Sequence, residues 1–198
     1  MTEHAIPRRA ARPRPVAHPS GWWGMAIFSA SEAMLFGALL GTYYYLRFKA
    51  LHWPPPGTPA PKVALPLVLT AVLVGTSVPM QAALRAAREG RLGATRLALV
   101  AALAVQATYF GLQLHLFLGD LAKFTPGEHA YGSIYFTLLG AHHTHVAVGL
   151  LLDVWLLLRL ATGLTRYRLT ALWAATFYWH FVNTLAVLVV LTQLSPSL

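Results

Sequence analysis

The 198-residue sequence contains no cysteine. No disulfide, thiolate nucleophile or Cys-ligated metal can be built from it. Charge is scarce as well. Only 11% of the residues are charged, and only six are acidic. A soluble domain carries about 25% charged residues, so a chain of this composition lacks the polar surface to face water on all sides. What it has instead is apolar: 57% of the residues are hydrophobic and the mean hydropathy is +0.55. The formal net charge is +9, but the basic residues fall in short clusters between apolar runs. That is a topology signal rather than a nucleic-acid patch, and no nucleic-acid partner is expected. Composition places the chain in a lipid bilayer.

Five stretches are long enough to cross a hydrocarbon core of about 30 Å as helices. They cover approximately residues 22–46, 63–84, 97–118, 132–158 and 169–192. The segment HWPPPGTPAPK (52–62) is too rich in proline for a helix and reads as a compact connector. RAAREGRLGATR (85–96) and RLATGLTRYR (159–168) carry clustered arginines, and the segment 119–132 is nearly neutral. Arg8, Arg9, Arg12 and Arg14 precede the first span. By the positive-inside rule the alternation places the N-terminus in the cytoplasm and the C-terminus outside. The expectation is an all-α integral membrane protein with five transmembrane helices in one bundle (21–198), preceded by a basic, Pro-rich N-terminal arm (1–20). Trp22 and Trp23 at one end of the first span and Tyr43, Tyr44 and Tyr45 at the other read as interfacial belts.

Ionisable residues inside the spans are the informative ones. Glu32 lies roughly 15 Å beyond Trp22, His142 and His145 about 15–20 Å into the fourth span, and His180 about 16 Å into the fifth, all near the midplane. His115 and Asp153 fall nearer the interfaces. A carboxylate at a helix centre costs about 2.5–3.5 kcal/mol even on the lenient insertion scale. Glu32 is therefore expected to be protonated, hydrogen-bonded or paired with an imidazolium inside the bundle. His142 and His145, three residues apart, share a helix face, and His143 points elsewhere. Ser29, Ala33, Gly37 and Gly41 form a stripe of small residues that allows close helix approach beside Glu32. The expectation is a midplane polar cluster of Glu32, His142, His145 and His180 knitting spans one, four and five. Three roles are open for it: a structural network fixing helix register, a proton relay or reactive carboxyl, and a metal or haem site. Against the last stands the small number of histidines on few helices. The aromatic run Phe177, Tyr178, Trp179 and Phe181 reads as packing.

Three segments, GMAIFSASEAMLF (24–36), YGSIYFTLLGAHHTHVAVG (131–149) and YWHFV (178–182), occur in an order and spacing that resembles subunit III of haem-copper cytochrome c and quinol oxidases. The resemblance runs from Gly21 to Leu194 and implies the five-helix form of that subunit. It implies no redox centre or cofactor in this chain, with haem and copper in partner subunits, and bound phospholipid. It also implies direct packing on oxidase subunit I beside other subunits including subunit II, in the bacterial cytoplasmic (inner) membrane, in support of sustained proton uptake. Under it Glu32 matches the family's membrane-embedded, carbodiimide-reactive glutamate, and His142 and His145 match its paired histidines. Trp179, His180 and Phe181 match the closing motif. Departures are Asn183 in place of the usual Asp, His143 in place of a small residue, and the absence of a glutamate after Gln113. An accessory subunit of a nitric oxide reductase and a stand-alone metal-binding membrane protein are the alternatives. A transporter is disfavoured by the absence of an internal repeat and of a broken-helix pair.

Overall fold

In the computed structural model, residues 20–59 and 64–195 are described, and every regular element among them is helical. The N-terminal arm (apart from Ser20), its four arginines and Lys62 lie outside the described residues. The elements are α1 (Ser20–Lys49), α2 (Ala64–Gly75), α3 (Ser77–Arg88), α4 (Leu92–Leu121), α5 (Ala130–Leu160) and α6 (Arg166–Leu194). α2 and α3 together make one span, so five helical stretches are long and apolar enough to cross a membrane.

The break between α2 and α3 at Thr76 was not expected, and its cause is Pro79. A helical proline has no N–H to donate and its ring crowds the carbonyl four residues back, here that of Gly75. The chain answers with a tight turn. The Thr76 N–H and its Oγ1 both donate to the Leu73 carbonyl, at 3.0 and 2.6 Å, and the ladder resumes with Met80 N to Thr76 O at 3.2 Å. The helices also run several residues past the apolar stretches. Hydropathy marks hydrocarbon depth, whereas Ala, Arg and Leu continue to favour helix beyond it. The basic segment 85–96 is therefore mostly helix, and only Glu89–Arg91 connects α3 to α4, turning at Gly90 with φ +73°.

α6 is the hub. It packs against α1, α2, α3 and α5, while α4 closes the far side on α3 and α5. The closest approach is made by Gly149 of α5. A Cβ there would sit 2.6–3.0 Å from three ring carbons of Trp179, whose side chain is wholly buried. The aromatic run of α6 is thus core, with Tyr178 donating its O–H to the His145 carbonyl at 2.8 Å. Side chains close the helix ends that the ladder leaves open. Arg96 donates to the Leu160 and Ala161 carbonyls, Arg168 to that of Gly163, and Arg47 to that of Ser195.

The belt expectation for Tyr43 is corrected. Tyr43 is buried and accepts the Trp53 indole N–H at 3.0 Å, edge to face with that ring. Its position explains why: Ser29, Phe36 and Tyr43, the buried residues of α1, recur every seven residues and form one seam. Trp23 and Tyr45 remain exposed.

Gly149→Val should crowd Trp179 and cost about 1–3 kcal/mol, the usual range for overpacking. Adding Trp179→Phe should recover part of that loss. Unfolding of the detergent-solubilised protein is the measurement.

Candidate functional site: four polar nodes in the bundle

The expected single cluster is distributed over separate helix pairs. The first node joins α1 to α5. Glu32 Oε2 lies 2.9 Å from His145 Nε2, with the two side chains 20% and 12% exposed. His145 Nδ1 donates to the Ala141 carbonyl at 2.7 Å, which directs Nε2 at the carboxyl. One proton serves the pair, on oxygen as a neutral acid facing a neutral imidazole or on nitrogen as an ion pair. The sum of charges is zero either way. The Phe36 ring stands edge-on to the imidazole at 5.2 Å and dries that side.

His142 does not join them. Three residues rotate a helix by about 300°, so His145 looks toward α1 while His142 looks toward α4. There its Nε2 meets the Tyr109 hydroxyl at 3.2 Å, and Gln113 donates to the same hydroxyl at 3.4 Å. His143 is also buried, donating from Nδ1 to the Leu139 carbonyl at 2.6 Å with its ring against Phe110 and Phe117. His180 forms a third node between α6 and α3, with Gln81 at 2.6 Å and Ser77 at 3.2 Å; Asn183 donates to Ser77 at 2.9 Å.

The small-residue stripe is likewise divided. Ser29 is buried, but Ala33, Gly37 and Gly41 are exposed, and a Cβ added at either glycine would touch nothing within 4 Å. Steps of four residues advance about 40° around a helix, so the stripe leaves the buried seam after its first member. Beyond Ser29 it mediates no close approach among the described residues.

Asp153, nearer an interface by depth, is a member of the core by its angle around α5. It is 0% exposed. With its amide nitrogen turned to face acceptors, Gln106 donates to Asp153 Oδ2 at 2.9 Å and to the Ala102 carbonyl at 3.1 Å, and the Trp179 indole lies beside the carboxyl. The sequence did hold the signal. Leu139, His142, Val146, Gly149, Asp153, Leu156 and Leu160 are buried at alternating steps of three and four, and Asp153 sits on that seam.

Among the described residues no group of three or more His, Asp or Glu side chains is placed to hold a metal ion. The nodes offer hydrogen bonds between helices and one shared proton, with His142 and His145 turned to different neighbours. The family model for cytochrome c oxidase subunit III matches residues 16–194. The chain belongs to that family. Cytochrome c oxidase subunit 3 of Bacillus subtilis is 30% identical over 172 residues, 85% of this chain and 81% of that protein. The probable cytochrome c oxidase subunit 3 of Nocardia farcinica is 33% identical over 164 residues, covering 81% and 80%. The cytochrome bo(3) ubiquinol oxidase subunit 3 of Pseudomonas aeruginosa is 29% identical over 175 residues, covering 84% and 82%. Of the longer animal relatives, such as that of Pelomedusa subrufa, the chain spans 64%. This subunit III is therefore a membrane subunit of a haem-copper oxidase complex.

Glu32→Gln keeps a donor for His145 and should be mild, whereas Glu32→Leu should destabilise the subunit. A double-mutant cycle of Glu32→Leu with His145→Leu should return a coupling of about 0.6 kcal/mol, up to about 1.7 kcal/mol, as for other hydrogen bonds between membrane helices. At the fourth node, Asp153→Asn should be tolerated. Asp153→Leu should strand the Gln106 amide at a cost of about 1–3 kcal/mol, and adding Gln106→Leu should restore part of it, read from unfolding in detergent.

Proposed function

We propose that this chain is the non-redox subunit of a proton-pumping terminal oxidase that reduces oxygen in aerobic respiration. In this reading it packs directly on the catalytic subunit I, in a complex that also contains subunit II, in the bacterial cytoplasmic membrane. Its N-terminus lies in the cytoplasm and its C-terminus outside. Haem and copper belong to the partners, and phospholipid is bound at the protein's lipid-facing surface. The contribution of this chain is to stabilise the catalytic subunit and to support its proton uptake.

The observation that carries the reading is the Glu32–His145 pair at the middle of a bundle whose sequence matches the oxidase subunit III family over most of its length. A carboxyl kept at membrane depth has to be answered by protein, and His145 answers it across two helices. Such a pair specifies one register between α1 and α5, because a slipped helix would leave either group alone in hydrocarbon. A rigid, correctly registered bundle is what a subunit without redox chemistry can offer a catalytic neighbour.

Affinity purification of the chain from its native membrane in mild detergent, followed by a haem spectrum and an oxygen-consumption assay, tests this. Expected is a large multi-span partner with haem a or haem o absorbance, active in oxygen reduction. Haem b and c with nitric oxide reduction would replace the reading by that of a nitric oxide reductase subunit. A colourless, partner-free chain would overturn it.

A further inference from the structure

Where the connector between α1 and α2 meets the start of α5, the contact is made by His129, the N-cap of α5. An N-cap accepts an N–H that the first helical turn cannot bond, and the usual acceptor is a side-chain oxygen. Here it is an imidazole nitrogen: Nδ1 takes the Gly132 N–H at 2.9 Å. A backbone N–H can only donate, so Nδ1 carries no proton and the neutral ring keeps its proton on Nε2. From Nε2 that proton is donated to the Thr58 hydroxyl at 3.2 Å. One neutral ring thus joins the connector to the first turn of α5.

The fit leaves no room for a second proton. A Cβ at Gly132 would stand 2.7 Å from the Thr125 carbonyl oxygen and 3.1 Å from His129 Nδ1, so the turn closes directly on the ring. Protonated Nδ1 would point an N–H at the Gly132 N–H and set a cation at the positive end of the α5 dipole. The neighbours do not compensate. After α4 comes the Phe124 ring at 6.0 Å, from α5 the Tyr131 ring at 5.9 Å, and from the connector Thr58. Glu128, adjacent in the chain, accepts the Thr125 N–H and hydroxyl, both at 3.1 Å. Asp120 is paired with Lys123 and accepts from Tyr135. None of the ion pairs among the described residues brings a carboxylate to His129, which is partly exposed and open to protons from solvent.

We propose that His129 is a pH-operated latch: neutral, it ties the connector to α5; protonated, it lets go of Gly132 and Thr58. Imidazole side chains change charge between about pH 5 and 8. The cap needs the neutral ring, so its contribution is present at the alkaline end and is lost as pH falls. The latch sits at the end of the bundle where α1, α4 and α6 finish and α2 and α5 begin. In the orientation proposed above that end faces outside, the side to which a proton pump delivers protons. Only this sidedness rests on the oxidase reading; the latch needs the fold alone.

Millisecond hydrogen exchange, read by mass spectrometry on the full chain purified with its partners in mild detergent, tests it. Each rate is set against that of the free peptide at the same pH. Between about pH 8 and about pH 5 the Gly132 amide should lose about fivefold in protection, as for the loss of a typical cap. The Thr58 amide, which donates to the Pro55 carbonyl at 3.1 Å, should loosen with it. The Arg168 amide, capped at 3.3 Å by the Thr165 hydroxyl that does not titrate, is the control and should not change. His129→Asn supplies an acceptor indifferent to pH and should keep Gly132 protected throughout. Gly132 protection that is the same at both pH values in the wild type, an equal acid loss in His129→Asn, or release of Gly132 with Thr58 still held would each overturn the latch. In sealed right-side-out vesicles external acid alone should open it. Opening by internal acid alone would overturn the sidedness and the orientation behind it, an outcome separable from failure of the latch.

Discussion

Hydrocarbon offers no hydrogen bonds, and each polar side chain at depth in this bundle has been placed under that constraint. The carboxyl of Glu32 is answered by an imidazole from another helix, that of Asp153 by an amide, and the imidazole of His180 by an amide and a hydroxyl. The answering group comes from a different helix in each case. Apolar packing alone would leave neighbouring helices free to slide, because one leucine surface is much like another. The polar nodes remove that freedom at four places, and the Trp179–Gly149 contact fixes α5 against α6 at a fifth.

The fold was largely legible in the sequence because the bilayer sets a length scale that apolar runs have to match. Five runs gave five spans. The ends were less legible, since helix propensity outlasts hydropathy at an interface. The interruption at Thr76 was missed although Pro79 stood in plain view. A single proline in a strongly apolar run changes its hydropathy little and its hydrogen bonding a great deal.

The site was legible in kind and not in arrangement. Depth along each span picked out Glu32 and His145, which lie 2.9 Å apart, but depth says nothing about rotation around the helix axis. Rotation separates His142 from His145, sends His180 to α3, and carries Ala33, Gly37 and Gly41 off the seam that Ser29, Phe36 and Tyr43 occupy. Asp153 shows the converse. Its depth looked unremarkable, while its place in the seven-residue seam of α5 marked it for burial. Combining the two coordinates, depth and angle, would have recovered Asp153 and rejected the stripe.

The Glu32–His145 pair has an electrical consequence. Membrane voltage acts on a charge only in proportion to how far it travels along the field, about 2.3 kcal/mol per 100 mV for a full crossing. A proton passing between the two groups would cross a heavy-atom separation of 2.9 Å, about a tenth of a hydrocarbon core of about 30 Å, and leave their summed charge unchanged. Whether the proton rests on oxygen or nitrogen is therefore almost invisible to the transmembrane potential. A bridge of this kind between α1 and α5 gives a transmembrane field almost nothing to act on.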